Sequence, residues 1–232
     1  MKLLLRTLLA LAFLVSQAKA DYLINSYSFG ANIFPTVQGT TVTTATTAST
    51  SHAASLPASI VSGELLELEV TVNTGTITAP AGWSTLYNAS PAAFFYLTAT
   101  GSEGATVTVT TGTSTKFVSI ARRISQWSGT PEVSTVATAT SVNPDSSSVT
   151  PSWGSDNQLY ISVAHGFGRF TGISAYPTGY TDQNTIDASS GSSAGLASAV
   201  HPSNGTSEDP SAFTANASIQ WFAYTVAIKP GP

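Results

Sequence analysis

Short stretches in which apolar and polar residues alternate run along most of the chain, and glycine, proline, asparagine and serine separate them. Alternation with a period of two is typical of half-buried β-strands, and apolar residues at helical spacing are almost absent. We therefore expect an all-β protein, an antiparallel β-sandwich of jelly-roll type. The pattern predicts strands over residues 22–29, 64–72, 92–99, 106–111, 116–126, 133–140, 158–165, 194–200 and 219–228.

The alternation is clearest over residues 64–70, where Leu66, Leu68 and Val70 share one face and Glu67 and Glu69 share the other. The leucine face is predicted to lie in the core and the glutamate face in solvent. Two carboxylates about 7 Å apart on one strand are also the spacing used by glycosidases. A jelly-roll glycoside hydrolase is therefore a minority hypothesis beside the solvated outer face.

Two pseudo-repeated halves are predicted, because several motifs recur in the same order about 100 residues later. The turn motif proline-x-glycine-aromatic-Ser/Thr occurs at residues 80–84 and again at 177–181. Two copies are too few for a solenoid, and two sheets packed face to face fit better. The paired strands share apolar positions, and we expect these inside: Leu66, Leu68 and Val70 matching Leu159, Ile161 and Val163, with Val118 and Phe222.

The first twenty residues have the layout of a secretory signal peptide. Lys2 and Arg6 precede an apolar run over residues 8–15, and residues 18–20 form a small-x-small cleavage site before Asp21. That run is shorter than the roughly 20 residues that span a bilayer. We expect cleavage after residue 20, no membrane insertion afterwards, and a single β-sandwich domain over residues 21–232 at the cell surface or outside the cell.

Charge and cysteine content narrow the possible partners. Loss of the leader would leave five basic residues against twelve acidic ones, a formal charge of −7. Nucleic acid is disfavoured, because phosphate backbones are bound by clustered lysine and arginine. The chain has no cysteine, which excludes disulfides and thiolate metal sites. An exported domain without disulfides depends on its core, on oligomerisation or on bound ions.

Three motifs resemble a β-sandwich family that recurs in tailed-phage structural gene blocks and in environmental bacterial surface proteins. They are residues 62–66 (SGELL), residues 79–83 (APAGW) and the closing run from Trp221 to Pro230, and the likeness covers roughly residues 56–230. The resemblance implies a virion appendage or a surface-adhesion module. A signal peptide departs from the virion pattern, because virion proteins assemble in the cytoplasm, and it favours export.

Four aromatic residues near predicted turns or strand ends could present ring faces to a glycan or protein partner: Trp153, Tyr176, Tyr180 and Phe167. Four carboxylates in loops of the second half could hold calcium weakly, as extracellular modules do: Asp182, Asp187, Glu208 and Asp209. No other cofactor is predicted, since no phosphate loop, serine elbow or zinc motif occurs.

Two further features concern the strands themselves. Residues 40–51 are rich in threonine and lack large apolar residues, so they are predicted to be a loop or a weak edge strand through which copies of the protein could associate. Arg122 and Arg123 interrupt an apolar strand; an inward arginine needs a carboxylate, and we interpret the pair as a bulge or the place where the strand leaves the core.

The leading functional hypothesis is a non-catalytic secreted or virion structural or adhesion module, with a glycan-binding module as the alternative.

Overall fold

The computed structural model describes residues 33–168, 170, 172–188 and 194–232, and it contains strands and no helix over these residues. The predicted signal peptide and the predicted strand over residues 22–29 lie outside the described residues. The strands are β1 (Thr36–Ser55), β2 (Leu65–Val72), β3 (Ile77–Thr78), β4 (Ser84–Ala89), β5 (Ala92–Thr98), β6 (Thr106–Ser125), β7 (Trp127–Val133), β8 (Ala137–Ser141), β9 (Gln158–Phe167), β10 (Ile173–Ala175), β11 (Thr181–Asp187), β12 (Ala194–Ser203), β13 (Thr214–Ala215) and β14 (Ile219–Pro230).

The described residues form two six-stranded antiparallel sheets, so the predicted β-sandwich is confirmed. Strands β10 and β13 form a separate two-stranded sheet. Each sheet is built by one half of the chain. The order is β1-β6-β2-β5-β4 in the first sheet and β7-β14-β9-β12-β11 in the second, with β3 added to β6 and β8 added to β14. A jelly-roll topology is not confirmed, because consecutive strands stay within one sheet.

The repeated strand order supports a duplication, and the two copies share a turn. In the first half, the Trp83 amide donates to the Pro80 carbonyl at 3.1 Å; in the second, the Tyr180 amide donates to the Pro177 carbonyl at 3.2 Å. Gly82 and Gly179 hold the same left-handed conformation, with φ of 82° and 84°. Each turn leads into the outermost strand of its sheet, β4 or β11.

The residue-by-residue match between β2 and β9 differs by one position from the prediction. Leu65 pairs with Ile124 on β6, and Leu159 pairs with Ile228 on β14. By register, Leu65 therefore corresponds to Leu159, and Glu69 corresponds to Val163. A slip of one residue places every side chain on the opposite face of a sheet, so the predicted match of Leu66 with Leu159 is wrong.

The core has an inner layer between the sheets and further apolar layers outside them. Leu159, Ile161, Val163 and Val118 lie in the inner layer, as predicted. Leu66, Leu68 and Val70 are buried too, but in a separate cluster on the outer face of the first sheet. Phe222 is only half-buried.

The outer cluster of the first sheet exists because the long antiparallel ribbon of β1 and β6 bends over that sheet. The pairing of the two strands shifts twice between Ala45 and Ser51. Beyond the bend, the Ser55 backbone returns to the first part of β1, where it accepts a hydrogen bond from Thr41 and donates one to Thr43. The bend covers a face that an open sandwich would leave in water.

The threonine-rich residues 40–51 lie within β1. Because β1 is the first strand in the order of its sheet, they belong to an edge strand, which is one of the two predicted possibilities. Strand β1 pairs with β6 on both sides of the bend, and its residues from Thr36 to Ala45 are exposed or half-buried.

Candidate functional site

A buried ionic cluster, called here the Arg122 cluster, joins the two sheets. Arg122 on β6 is fully buried, and its Nη1 atom lies 2.9 Å from Oε1 of Glu67 and 2.9 Å from Oε1 of Glu69, both on β2. Its Nη2 atom donates to the Ser198 hydroxyl on β12 at 2.7 Å, and its Nε atom donates to Asp182 Oδ2 on β11 at 2.5 Å. One guanidinium thus connects four strands and both halves of the chain.

The strand pattern explains why the first-sheet members meet. Glu67 pairs directly with Arg122 in the β2/β6 register, and Glu69 lies two residues further along the same face. That face carries Leu65 and packs against the second sheet. An inward arginine needs a carboxylate, and β2 supplies two.

Asp182 reaches the guanidinium because of an irregularity in β11. The pairing of β11 with β12 shifts between Thr181 and Asn184, and Asp182 has a φ of 44°. A β-bulge re-aims side chains, and aspartate tolerates this conformation better than most residues. Its carboxylate also accepts hydrogen bonds from the Thr40 hydroxyl at 2.9 Å and from the Asn184 amide.

Burial makes the two glutamates difficult to ionise. Desolvation, reinforced by the adjacent Glu69 charge, raises the pKa of Glu67 well above its usual range, although Arg122 acts in the opposite direction. Desolvation likewise raises the pKa of Glu69 to about 7. The second oxygen of each carboxyl group, Oε2, is buried without a hydrogen-bond partner. Three carboxyl groups share one guanidinium, so the cluster holds protons at neutral pH.

A second polar chain crosses the inner core beside this cluster. The Thr71 hydroxyl lies 2.7 Å from Nδ1 of His165, and the Tyr224 hydroxyl lies 2.8 Å from its Nε2. Desolvation lowers the pKa of His165 to about 3, so the imidazole is neutral and one nitrogen donates while the other accepts. Desolvation, with Glu69 and Glu67 close by, raises the pKa of Tyr224.

The prediction that Glu67 and Glu69 face solvent is wrong. Both side chains are fully buried, because the second sheet covers the inner face of β2 and the bent β1/β6 ribbon covers the outer face. In this conformation the carboxylate pair is closed to a polysaccharide chain. Arg122 and Arg123 form no bulge toward β2, since the β2/β6 register is continuous there, but the pairing of β1 with this part of β6 shifts between Val37 and Gly39. Arg122 faces inward, and Arg123 faces the other way and binds Glu64 at 2.8 Å.

The four predicted calcium ligands have different environments. Asp182 belongs to the Arg122 cluster, and Asp187 lies at the far end of the same strand. Glu208 accepts hydrogen bonds from the Tyr180 hydroxyl at 3.0 Å and lies 2.9 Å from Nδ1 of His201, and Asp209 is exposed. Across the described residues, no three histidine, aspartate or glutamate side chains converge as a metal site.

The four predicted aromatic ligand-binding residues pack against different neighbours. Tyr180 is buried, with 4% of its surface exposed, so it offers no open ring face. Trp153, Tyr176 and Phe167 are half-buried. The Trp153 indole donates to Gln158, the Tyr176 ring packs on Phe213 at 5.8 Å, and the Phe167 ring packs on Phe222 at 4.7 Å.

A cleft of about 650 Å³ lies between the start of β1 and the second sheet, next to Asp182. Val37, Leu159 and Val200 contribute apolar walls, and Thr40 contributes a hydroxyl group. This volume is within the range of small-molecule sites. Asp182 is the member of the Arg122 cluster that borders the cleft, and 28% of its side chain is exposed.

Several members of these buried networks were not predicted to act together. The sequence shows charges within apolar strands at Glu67, Glu69 and Arg122. Assigning the two glutamates to the inner face of the sheet would have paired them with Arg122. Ser198 and Tyr224 lie in ordinary strand sequence and gave no signal.

Comparison with protein-family models, with curated proteins and with solved structures gives no match. The resemblance to phage-associated β-sandwich proteins therefore remains a prediction. In the part of the chain that the structure describes, no helix has the length and apolar character needed to cross a membrane.

Proposed function

We propose that this protein is a non-catalytic structural or adhesion module, exported by its leader, that docks to its partner through the edge strand β1. The length, edge position and uncharged composition of β1 support this proposal. The strand is 20 residues long, it ends the strand order of the first sheet, and it contains no aspartate, glutamate, lysine, arginine or proline. Edge strands of monomeric proteins normally carry such residues, because they deter the addition of another strand.

The internal position of the ionisable groups supports a non-catalytic role. The paired glutamates, the arginine and His165 lie inside the sandwich, where they contact one another and are closed to solvent. A general acid or base must come within hydrogen-bond reach of its substrate. In this protein these groups connect the two sheets, as disulfides do in many exported domains.

The partner that fits β1 most simply is a second copy of the chain. All twelve acidic residues lie outside β1, and Asp182 and Asp187 of β11 contact it at Thr40 and Thr44. Two β1 strands can therefore approach along the part of the strand beyond Thr44 without bringing these residues together. Antiparallel addition would pair the free backbone groups of both edges and align their threonine side chains. An unrelated extracellular or virion protein with its own free edge would use the same backbone groups.

The test compares two lysine substitutions that add the same charge to exposed threonines. Thr46→Lys places the charge on β1, whereas Thr110→Lys places it on β6 between its partners Ser51 and Thr78. Sedimentation velocity and hydrogen exchange are measured from low to high micromolar concentration. We expect the wild-type protein and Thr110→Lys to associate with rising protection of β1, and Thr46→Lys to remain monomeric. A monomeric wild-type protein whose β1 exchange is independent of concentration would contradict docking between copies.

A glycan-binding module is the second candidate, and the cleft beside Asp182 favours it. The threonine hydroxyls of the cleft suit sugar hydroxyls, and Phe34 at its rim supplies an aromatic ring. Glycan-array binding that is lost in Phe34→Ala and retained in Thr46→Lys would support this function over docking through β1. Absence of binding to any glycan on the array would remove it.

A further inference from the structure

The Arg122 cluster closes one seam of the sandwich. Strand β1 ends the order of the first sheet and β11 ends the order of the second. Asp182 on β11 is bound both by Arg122 on β6 and by Thr40 on β1, and the Thr44 hydroxyl donates to the Asp187 carbonyl at 3.1 Å further along. We call this the β1/β11 seam. The contacts of Asp182 at this seam therefore depend on the charge state of the buried Glu67 and Glu69, which share Arg122 with it.

The charges of the cluster do not balance when all its carboxylates are ionised. Glu67, Glu69 and Asp182 would then carry three negative charges against the single positive charge of Arg122. An uncompensated charge in a protein interior is expensive. The partnerless Oε2 atoms of the two glutamates are the positions where protons remove the excess.

The groups that surround the glutamates supply no further cation. His165 is neutral, and the remaining titratable neighbours are tyrosines. Tyr224 lies close enough for the charges of both glutamates to raise its pKa. Tyr96 is opposite Glu67 in the β2/β5 register, and Tyr87 packs on Tyr224 with ring centres 5.0 Å apart. Within this set Arg122 is the one cation. Compensation of the second and third carboxylates therefore comes from protons or from contact with water.

We propose that the Arg122 cluster is a proton-dependent clamp on the β1/β11 seam. With the glutamate pair protonated, the cluster is nearly neutral and the seam is closed. When the pair loses its protons, the excess negative charge gains contact with water by separating Asp182 and β11 from Arg122 and β1. Both edge strands then open while the central strands of the two sheets stay paired.

The direction of the pH dependence follows from the raised pKa values. An open seam would let the glutamates titrate near their usual value of 4.5, whereas Glu69 titrates at about 7 in the closed form. The closed form thus binds protons more tightly, and its advantage is lost as the pH rises through about 7. Burial lowers the pKa values of His165 and His52 below their usual 6.5, so both imidazoles are neutral above that pH. Measurements above pH 6.5 therefore separate the titration of the carboxyl groups from that of these two histidines.

Hydrogen exchange of the full-length protein between pH 6.5 and pH 9, corrected for the intrinsic rate at each pH, tests the clamp. We expect protection of residues 36–45 and 181–187 to fall by about fourfold from Glu69 alone, because a carboxyl group with a pKa of about 7 loses its remaining protons over this interval. The raised pKa of Glu67 adds to this fall. Protection of the central strand β9 should change little. In Glu69→Gln, which keeps Glu67, this dependence should be weaker. Glu132→Gln makes the same chemical change on β7, at the other end of the second sheet, and should behave as the wild type does.

If protection of the seam and of β9 changed equally with pH in the wild-type protein, the proposal would be overturned. An unchanged pH dependence of seam protection in Glu69→Gln would overturn it too. Should Glu69→Gln fail to fold, Glu67→Gln provides the same comparison, and the wild-type result stands without either variant. The clamp does not require β1 to bind anything. A clamp without association, or association without a clamp, would therefore distinguish this inference from the proposed function.

Discussion

Glu67 and Arg122 face each other across the β2/β6 pairing, and the buried guanidinium lies 2.9 Å from the Glu67 carboxylate. By register, the second half of the chain has Ile161 and Val226 at the corresponding positions, and that pair packs in the same inner core. One half has therefore an ionic pair where the other has an apolar pair. This difference gives a direct way to measure what the ionic cluster contributes.

Arg122→Val should be strongly destabilising, because it removes the guanidinium from two fully buried carboxyl groups, Glu67 and Glu69, and from the half-buried Asp182. Removing one partner of a buried ion pair costs about 3–5 kcal/mol. Arg123→Val is the matched control: it removes a partly exposed arginine that binds Glu64 on the other face, and should cost less. Urea unfolding measures both. An Arg122 variant no less stable than the Arg123 variant would contradict the assigned role of the cluster.

The triple variant Glu67→Ile, Glu69→Val and Arg122→Val gives the first half the residues of the second. We expect it to be at least as stable as the wild-type protein, within about 1 kcal/mol, because well-packed apolar residues often replace a buried ionic cluster without loss. Asp182 would keep its contacts with Thr40 and Asn184. Urea unfolding showing the triple variant to be as unstable as Arg122→Val alone would refute the register equivalence.

Stability should depend on Glu69 in a pH-specific way. Its pKa is raised in the folded protein, so its contribution is fully present below the unfolded value of 4.5 and is lost as the pH rises through about 7. The unfolding free energy of the wild-type protein relative to Glu69→Gln should therefore fall by up to about 3 kcal/mol between pH 4.5 and pH 8. Urea titrations at a series of pH values measure this difference, and a constant difference would count against a buried Glu69.

His165 should produce the opposite trend on the acidic side. Its pKa is lowered to about 3, so its contribution is present above the unfolded value of 6.5 and is lost as the pH falls toward 3. The stability of the wild-type protein relative to His165→Gln should decrease over that interval. An increase in that relative stability on acidification, read from the same urea titrations, would show that the imidazole is charged in the fold.

The alternation of residues 64–70 was enough to predict β2, but it could not show which face of the strand meets the second sheet. Polarity favoured solvent for Glu67 and Glu69, and that choice was wrong because both faces of β2 are covered. Asp182 lies 60 residues from Arg122 in the chain and reaches it through a bulge. Local patterns carry no information about such a contact.

The repeated turn was the more reliable sequence signal, because its glycine is required by backbone conformation and not by burial. Gly82→Ala and Gly179→Ala should each cost about 1–2 kcal/mol, since both positions have positive φ and a new Cβ would meet nothing closer than 3.7 Å. Gly104→Ala, which lacks a positive φ and has a nearest neighbour at 3.8 Å, should be close to neutral. Thermal unfolding of the three variants checks this; unequal costs at Gly82 and Gly179 would argue against equivalent turns.

Two glutamates share the inside of this sandwich with one arginine, and carbon-13 NMR titration of the glutamate side-chain carboxyls measures the pKa values that this burial produces. Glu67 and Glu69 are assigned through their glutamine variants; Glu69 should have a pKa near 7, and burial should hold the pKa of Glu67 well above its usual range. Exposed carboxyls would titrate near their usual value of 4.5. Titration of both Glu67 and Glu69 near 4.5 would contradict their burial beside Arg122, because it would place them in water.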